Sequence, residues 1–96
     1  MLADLPKNIE KVPKEQRDRE ILRAGMIAEL DAVSFYEQLV AMTDNKDVKK
    51  VLLDIAREEK AHIAEFETML FKLDPEQVKE HTKGREEIEE LIGKNK

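Results

Sequence analysis

The sequence predicts an all-α protein in which two long antiparallel helices and a short C-terminal helix make up half of a four-helix bundle. Ala, Leu, Glu, Lys and Arg dominate the 96 residues, and these are the strongest helix formers. Only three glycines and three prolines are available for turns. Apolar residues recur at alternating spacings of four and three along two stretches, a pattern typical of helices that pack side by side.

The charge balance and the lack of cysteine exclude several classes of protein. The chain has 22 acidic and 17 basic side chains, for a net charge of −5, whereas nucleic-acid partners need a basic face. No apolar run approaches the roughly 20 residues that cross a bilayer. We expect no signal peptide, because an acid at Asp4 and prolines follow Met1 in place of a basic stretch and an apolar core. With no cysteine, disulfides and zinc–thiolate sites are excluded. We expect a soluble, cytoplasmic protein that binds neither nucleic acid nor membrane.

Residues 1–13 are predicted to form an N-terminal arm. Pro6 and Pro13 prevent a continuous helix there. Three apolar residues of the arm could dock on a neighbouring chain, namely Leu5, Ile9 and Val12. A frayed terminus is an equally good interpretation.

The first helix is predicted over residues 14 to 42. One stripe with spacings of 4, 3, 4, 3 and 4 consists of Leu22, Met26, Glu29, Val33, Tyr36 and Val40. A second strip beside it includes small residues that permit close approach, namely Ile21, Gly25, Ala28, Ala32, Phe35 and Leu39. Residues 43–46 then supply turn and N-cap chemistry.

The second helix is predicted over residues 47 to 73, which completes a helical hairpin over residues 14–73. Its stripe repeats the same spacing through Val48, Leu52, Ile55, Glu59, His62, Phe66, Met69 and Leu73. Residues 74–96 form a short C-terminal helix and tail, because Asp74 can cap a helix and Pro75 suits its first position. We expect Gly84 to end that helix, with one or two further turns over residues 85–92, and His81 to lie on the surface.

A hairpin of two helices cannot bury apolar faces this wide, because each helix has only one neighbour. Each helix of about 27 residues is roughly 40 Å long. The stable solution is a four-helix bundle made from two chains. The sequence therefore predicts a homodimer.

Both apolar stripes are interrupted by polar residues in the middle. Residues at equal height in an antiparallel hairpin have numbers with a constant sum, here near 89 for a turn between Asp44 and Asn45. Glu29 then faces the level between Glu59 and His62. Buried carboxylates are costly unless their charge is compensated, and neither stripe contains a Lys or Arg. A cation is the compensation we expect.

The predicted ligands of that cation are Glu29, Glu59 and His62. Two chains together supply four carboxylates and two imidazoles, which is the ligand inventory of a di-iron carboxylate bundle. Hard oxygen and borderline nitrogen donors suit iron, two per dimer, with manganese or zinc as substitutes. Tyr36, two turns along from Glu29, could hydrogen-bond a ligand or accept an electron, or could be a core aromatic. The alternative for the whole layer is an incidental polar layer that only sets helix register.

Two stretches of the sequence resemble the encapsulated ferritins, which are relatives of rubrerythrin and ferritin. They are residues 27–37 (IAELDAVSFYE) and residues 57–62 (REEKAH), and the likeness covers about residues 20–75. The resemblance implies a ferroxidase centre formed between two chains, with Glu29, Glu59 and His62 as ligands and Tyr36 and Phe35 beside them. It also implies a ring of dimers, commonly a decamer, inside an encapsulin shell where oxidised iron is mineralised.

This sequence departs from that family at two places. The acidic site through which metal enters would map to Ala28 and Asp31, so one acid remains there. Residues 93–96 (GKNK) resemble neither a shell-targeting tail nor the start of a fused shell domain.

Three functions are compatible with these features. The leading hypothesis is a ferroxidase, an enzyme that oxidises Fe(II) with O₂ or peroxide and delivers Fe(III) to a mineral store. A rubrerythrin-like peroxidase could use the same centre, although a chain without cysteine has no rubredoxin electron donor of its own. The third hypothesis is a non-catalytic structural or adaptor bundle that is indifferent to metal.

Overall fold

The computed structural model describes residues 11–93, which form three α-helices and no strand. Helix α1 spans Lys14–Ala41, α2 spans Lys46–Leu73 and α3 spans Pro75–Ile92. The prediction of an all-α fold with two long helices and a shorter third one is confirmed. Within the described residues, no helix is both long enough and apolar enough to cross a membrane. The docking predicted for Leu5 and Ile9 and the predictions for residues 94–96 lie outside the described residues.

The two helix starts that follow a turn are capped as predicted. The side chain of Asn45 accepts hydrogen bonds from the backbone N–H groups of Asp47 and Val48, at 2.9 and 3.0 Å. At the start of α3, Asp74 Oδ1 accepts from the N–H of Gln77 at 3.2 Å. Such bonds satisfy donors that the first turn of a helix leaves unpaired.

The prediction that Gly84 ends the third helix is wrong, because α3 continues through it to Ile92. A single glycine costs a helix only about 1 kcal/mol relative to alanine, and the residues on either side are good helix formers. The helix stops at Gly93, whose φ of 89° lies in the region that favours glycine.

The ring of Phe66 packs against α1 at Gly25, where α1 has no side chain. A Cβ atom placed on Gly25 would lie 2.7 Å from Phe66 Cε1 and 2.8 Å from Phe66 Cζ. The ring of Phe66 thus occupies the space that any larger residue at position 25 would need. The sequence predicted close approach along this strip of α1, and the structure identifies the contact that requires it.

The hairpin buries little of its apolar surface. Among the described residues the buried apolar side chains are Ala56 and Leu70, while many large ones stay exposed on all three helices. Helix α3 packs against the end of α2, and its backbone stays away from α1. The expectation that a single hairpin cannot cover its own apolar faces agrees with this thin core.

Candidate metal centre

Three side chains from both long helices meet at one level of the hairpin. Glu29 comes from α1, while Glu59 and His62 come from consecutive turns of α2. His62 Nδ1 lies 3.5 Å from Glu29 Oε2 and 3.6 Å from Glu59 Oε2. Each residue offers one ligand atom, and these atoms all lie within 4.8 Å of one another. The three residues that the sequence placed on one level are therefore together, and we call them the carboxylate–histidine cluster.

One oxygen of this cluster lacks the partner that burial demands. Glu29 Oε2 is shielded from solvent and accepts no hydrogen bond, although His62 Nδ1 lies within ion-pair distance at 3.5 Å. A buried polar atom without a partner costs roughly 1–3 kcal/mol, and more when it carries charge. A cation held between the carboxylates would supply the missing interaction, so the residues present fit a bound metal ion.

The cluster opens toward the surface of the hairpin. The side chains of Glu29 and Glu59 are 21% and 19% exposed, whereas that of His62 is 46% exposed. One chain thus supplies two oxygen donors and one nitrogen donor and leaves one side uncovered. This donor set suits iron, manganese or zinc, and the open side leaves coordination positions for further ligands.

Tyr36 lies two turns beyond Glu29 on the same helix. It is partly buried, and its ring packs against Phe35 at a centroid distance of 5.7 Å and an interplanar angle of 56°. This tilted geometry is typical of aromatic pairs. The role predicted for Tyr36 beside a metal ligand stays a prediction.

The sequence did not reveal the ion pair that ties α3 to α1. Arg23 Nη2 donates to Asp74 Oδ2 at 3.1 Å, and Asp74 is buried. Asp74 therefore caps α3 with one oxygen and holds α1 with the other. The two residues are 51 positions apart, and no local pattern links them.

His81 is exposed, as predicted, but its ring also packs on Phe71. The two ring centroids are 5.3 Å apart and the planes are tilted by 57°. The contact anchors the first turns of α3 on the last turns of α2. His81 is not part of the carboxylate–histidine cluster.

A helical hairpin that gathers two glutamates and a histidine on one level is characteristic of the ferritin-like carboxylate proteins. Comparison with known families agrees, since residues 20–94 match the rubrerythrin family. The chain belongs to this family, and the resemblance to encapsulated ferritins is confirmed by the relatives described next.

Two curated relatives and one solved structure are similar to this chain. A ferritin-like–encapsulin shell fusion protein from Pyrococcus furiosus is 50% identical over 86 residues, covering 90% of this chain and 25% of that protein. The encapsulin nanocompartment cargo protein EncC from Myxococcus xanthus is 39% identical over 69 residues, covering 69% of this chain and 53% of that protein. The chain thus spans a quarter of the length of the fusion protein and about half of the length of EncC.

The similar solved structure is the encapsulated ferritin domain from Pyrococcus furiosus. The two structures superpose with a TM-score of 0.78 at 46% sequence identity. The match covers all of this chain and 92% of the chain of the solved structure. The ferritin-like helical fold is therefore shared.

Proposed function

We propose that this chain is a ferroxidase, which oxidises Fe(II) to Fe(III) at a di-iron carboxylate centre formed between two copies. The observation that carries the proposal is the carboxylate–histidine cluster with its unpartnered Glu29 oxygen. Membership of the rubrerythrin family supports iron as the metal. Manganese or zinc could occupy the same donors as substitutes.

The thin core and the open side of the cluster support pairing of two chains. A second hairpin laid on the first would cover exposed apolar residues of both and complete a four-helix bundle. If the partner's cluster faced this one across a two-fold axis, each Fe(II) ion would gain ligands from both chains. His62, the most exposed ligand, would then become buried.

Charge balance supports Fe(II) as the substrate of such a site. Glu29 and Glu59 from two chains provide four negative charges, which equal the charge of two Fe(II) ions. Each ion gives up one electron, and together the two electrons reduce O₂ with two protons to hydrogen peroxide. The resulting pair of Fe(III) ions exceeds the carboxylate charge by two, an excess that anionic oxygen ligands such as hydroxide from water would balance.

The protein's own residues bind, orient and shield the reacting ions. The carboxylates hold the two ions close together, and the imidazole of His62 completes the donor set on one side. Tyr36 is placed two turns away, where we propose that it hydrogen-bonds a ligand or passes an electron. The apolar residues around the layer exclude bulk water.

The names of the relatives support a setting inside an encapsulin shell. One relative is fused to a shell domain and another is named as nanocompartment cargo. We propose that this chain works in the cytoplasm within an encapsulin nanocompartment, as a ring of dimers such as a decamer, and feeds iron mineralisation there. An open hairpin encloses no store of its own, so a shell would hold the mineral.

Iron titration tests the proposal. Fe(II) added without oxygen should bind at about two ions per dimer, as two ligand sets imply, and air should then produce ferric absorbance. Glu59→Ala should abolish the rapid rise in ferric absorbance. Glu58→Ala is the matched control and should keep it, because Glu58 neighbours Glu59 but lies outside the cluster. Equal rates in the wild type and Glu59→Ala would contradict the proposal. A dimer indifferent to iron and chelator would instead indicate a structural bundle.

Peroxide is the alternative oxidant that family membership supports. A rubrerythrin-like peroxidase would use the same residues with the same electron count, reducing hydrogen peroxide to two waters. Stopped-flow oxidation of the Fe(II)-loaded protein by O₂ and by peroxide, at equal concentrations, separates the two activities. Faster oxidation by peroxide would indicate the peroxidase.

A further inference from the structure

The hairpin and α3 are joined by a chemically weak peptide bond. Asp74–Pro75 is the one aspartyl–prolyl bond among the 96 residues. In such a bond the aspartate carboxylate can attack the carbonyl carbon of its own residue and form a five-membered cyclic anhydride. The carbon–nitrogen bond breaks, and the proline nitrogen takes a proton from solvent and leaves as a secondary amine. Water then opens the anhydride, so the net change is hydrolysis of the chain after the aspartate.

The attacking group of this bond is restrained in the folded chain. Helix α2 ends at Leu73 and α3 begins at Pro75, so Asp74 stands between them. It is 6% exposed and is the one charged residue that is buried within residues 11–93. Its Oδ1 accepts from the N–H of Gln77 at 3.2 Å, and its Oδ2 accepts from Arg23 Nη2 at 3.1 Å. Both carboxylate oxygens are therefore held by donors.

The carbonyl group that would be attacked is already polarised. The backbone oxygen of Asp74 accepts hydrogen bonds from the N–H groups of Gln77 and Val78, at 3.0 and 3.4 Å. Two such donors stabilise the negative charge that develops on a carbonyl oxygen when its carbon is attacked. The fold thus favours attack at this carbon, and the restraint on the reaction lies in the carboxylate.

Arg23 is the part of that restraint that comes from a distant element. Glu20 Oε1 accepts from Arg23 Nη1 at 2.9 Å, so α1 itself orients the guanidinium toward the junction. A carboxylate oxygen in a charge-assisted hydrogen bond is a weaker nucleophile, because its electron pair is engaged by the donor. The cap of α3 engages only one oxygen of Asp74, and Arg23 engages the other.

We propose that Asp74–Pro75 is a self-cleavage site that Arg23 keeps intact in the folded chain. Cleavage would separate residues 1–74, which include the carboxylate–histidine cluster, from residues 75–96, which include α3. The reaction consumes one water and needs neither an oxidant nor a reductant. It uses none of the predicted metal ligands, so the proposal holds whether or not the chain oxidises iron.

Breaking this bond would release α3 from the hairpin. Helix α3 packs against the end of α2, and its backbone stays away from α1. The ring contact of His81 with Phe71 would then be left to hold it, together with the cap at Asp74. Gln77 and His81 also form one wall of a pocket of about 400 Å³, whose other walls belong to α1 and α2. Departure of α3 would open this pocket and leave the cluster on the hairpin.

Heating the full-length chain at mildly acidic pH, below its unfolding midpoint, tests the proposal. Mass spectrometry measures how fast the fragments 1–74 and 75–96 appear. Arg23→Ala should cleave several-fold faster than the wild type, whereas Asp74→Asn should lose the cleavage because it has no carboxylate. Glu20→Ala is the matched control, because it removes the other partner of Arg23 and keeps the donor to Asp74. Its rate should stay close to that of the wild type.

A second control separates the restraint from general stability. Asn45→Ala weakens a different helix cap and leaves Arg23 and Asp74 in place, so it should not speed cleavage. Equal acceleration in Asn45→Ala and Arg23→Ala would mean that cleavage follows global unfolding, and the proposal would be wrong. An unchanged rate in Arg23→Ala would also overturn it. In denaturant the wild type and Arg23→Ala should cleave equally fast, and a persistent difference would contradict a restraint that depends on the fold.

Discussion

Replacing Gly25 with alanine adds one methyl group where α1 lies against the Phe66 ring of α2. The new Cβ would lie 2.7 Å from Phe66 Cε1 and 3.1 Å from Phe66 Cδ1. Ordinary carbon–carbon contacts begin near 3.5 Å, so the ring or the helices must move by about 0.8 Å to relieve the 2.7 Å contact. Gly25 lies one turn before Glu29, and Phe66 lies one turn after His62. A shift at this contact is therefore passed on to the carboxylate–histidine cluster.

Two opposing effects set the size of the change in stability. Overpacking a core position costs about 1–3 kcal/mol, whereas alanine is about 1 kcal/mol better than glycine in a helix. The net expectation for Gly25→Ala is a loss of about 0–2 kcal/mol. Gly84→Ala is the matched control, because a Cβ there meets nothing within 4 Å and should gain about 1 kcal/mol.

Thermal unfolding followed by far-ultraviolet circular dichroism measures both variants. Each kcal/mol shifts the midpoint by about 4–8 °C for a domain of this size, and all samples need equal chain concentration because assembly stabilises the folded chain. Gly84→Ala should melt above the wild type and Gly25→Ala at or below it. Adding Phe66→Leu to Gly25→Ala should recover part of the loss, as coupled neighbours do.

Stabilisation of Gly25→Ala by as much as Gly84→Ala would refute the expected clash with Phe66. In that case the ring of Phe66 would yield freely, and the close approach of the helices would not depend on glycine. Unchanged stability and unchanged iron affinity in Gly25→Ala would show that the contact between Gly25 and Phe66 does not affect the geometry of the cluster.

Three further substitutions test other parts of the structure. Glu29→Gln removes a mostly shielded carboxylate charge whose Oε2 makes no hydrogen bond but lies 3.5 Å from His62 Nδ1; the two effects oppose each other, so the metal-free protein should melt close to the wild type. The stabilisation by Mn(II), about 2.7 kcal/mol at a hundred times the Kd, should vanish in calorimetry, and its persistence would exclude Glu29 as a ligand. Asp74→Ala removes a helix cap and a partly exposed ion pair, so it should lower the free energy of unfolding in urea by about 1–2 kcal/mol. The control Asp54→Ala, at an exposed position, should lower it by under about 0.5 kcal/mol, and equal losses in the two variants would refute this expectation. Asn45→Ala should cost about 1 kcal/mol by the same assay, and an unchanged midpoint would show that the cap is dispensable.

Local sequence patterns predicted the helices and the level of the cluster. Capping by Asn45 and Asp74 depends on residues two or three positions away, and the spacing of apolar residues depends only on the helical repeat. The turn position then determined which residues face each other across the hairpin. Counting from it was enough to bring Glu29 level with Glu59 and His62.

The course of α3 was decided by contacts between distant parts of the chain. The continuation of α3 through Gly84 is by contrast a local effect that the prediction overlooked, because one glycine is a modest penalty that its helix-forming neighbours outweigh. The pairing of Arg23 with Asp74 joins residues 51 positions apart. Such a contact depends on the direction in which α3 leaves α2, which no local pattern encodes.

The sequence by itself determined the two long helices and the residues that form the cluster, because both depend on short-range spacing along a helix, and its resemblance to known proteins indicated the family. Only the tertiary structure showed that Phe66 fills the space beside Gly25, that Asp74 holds two helices, and that a pocket forms at the base of α3. These features arise where side chains from separate helices compete for the same volume, and that competition is resolved only when the helices pack.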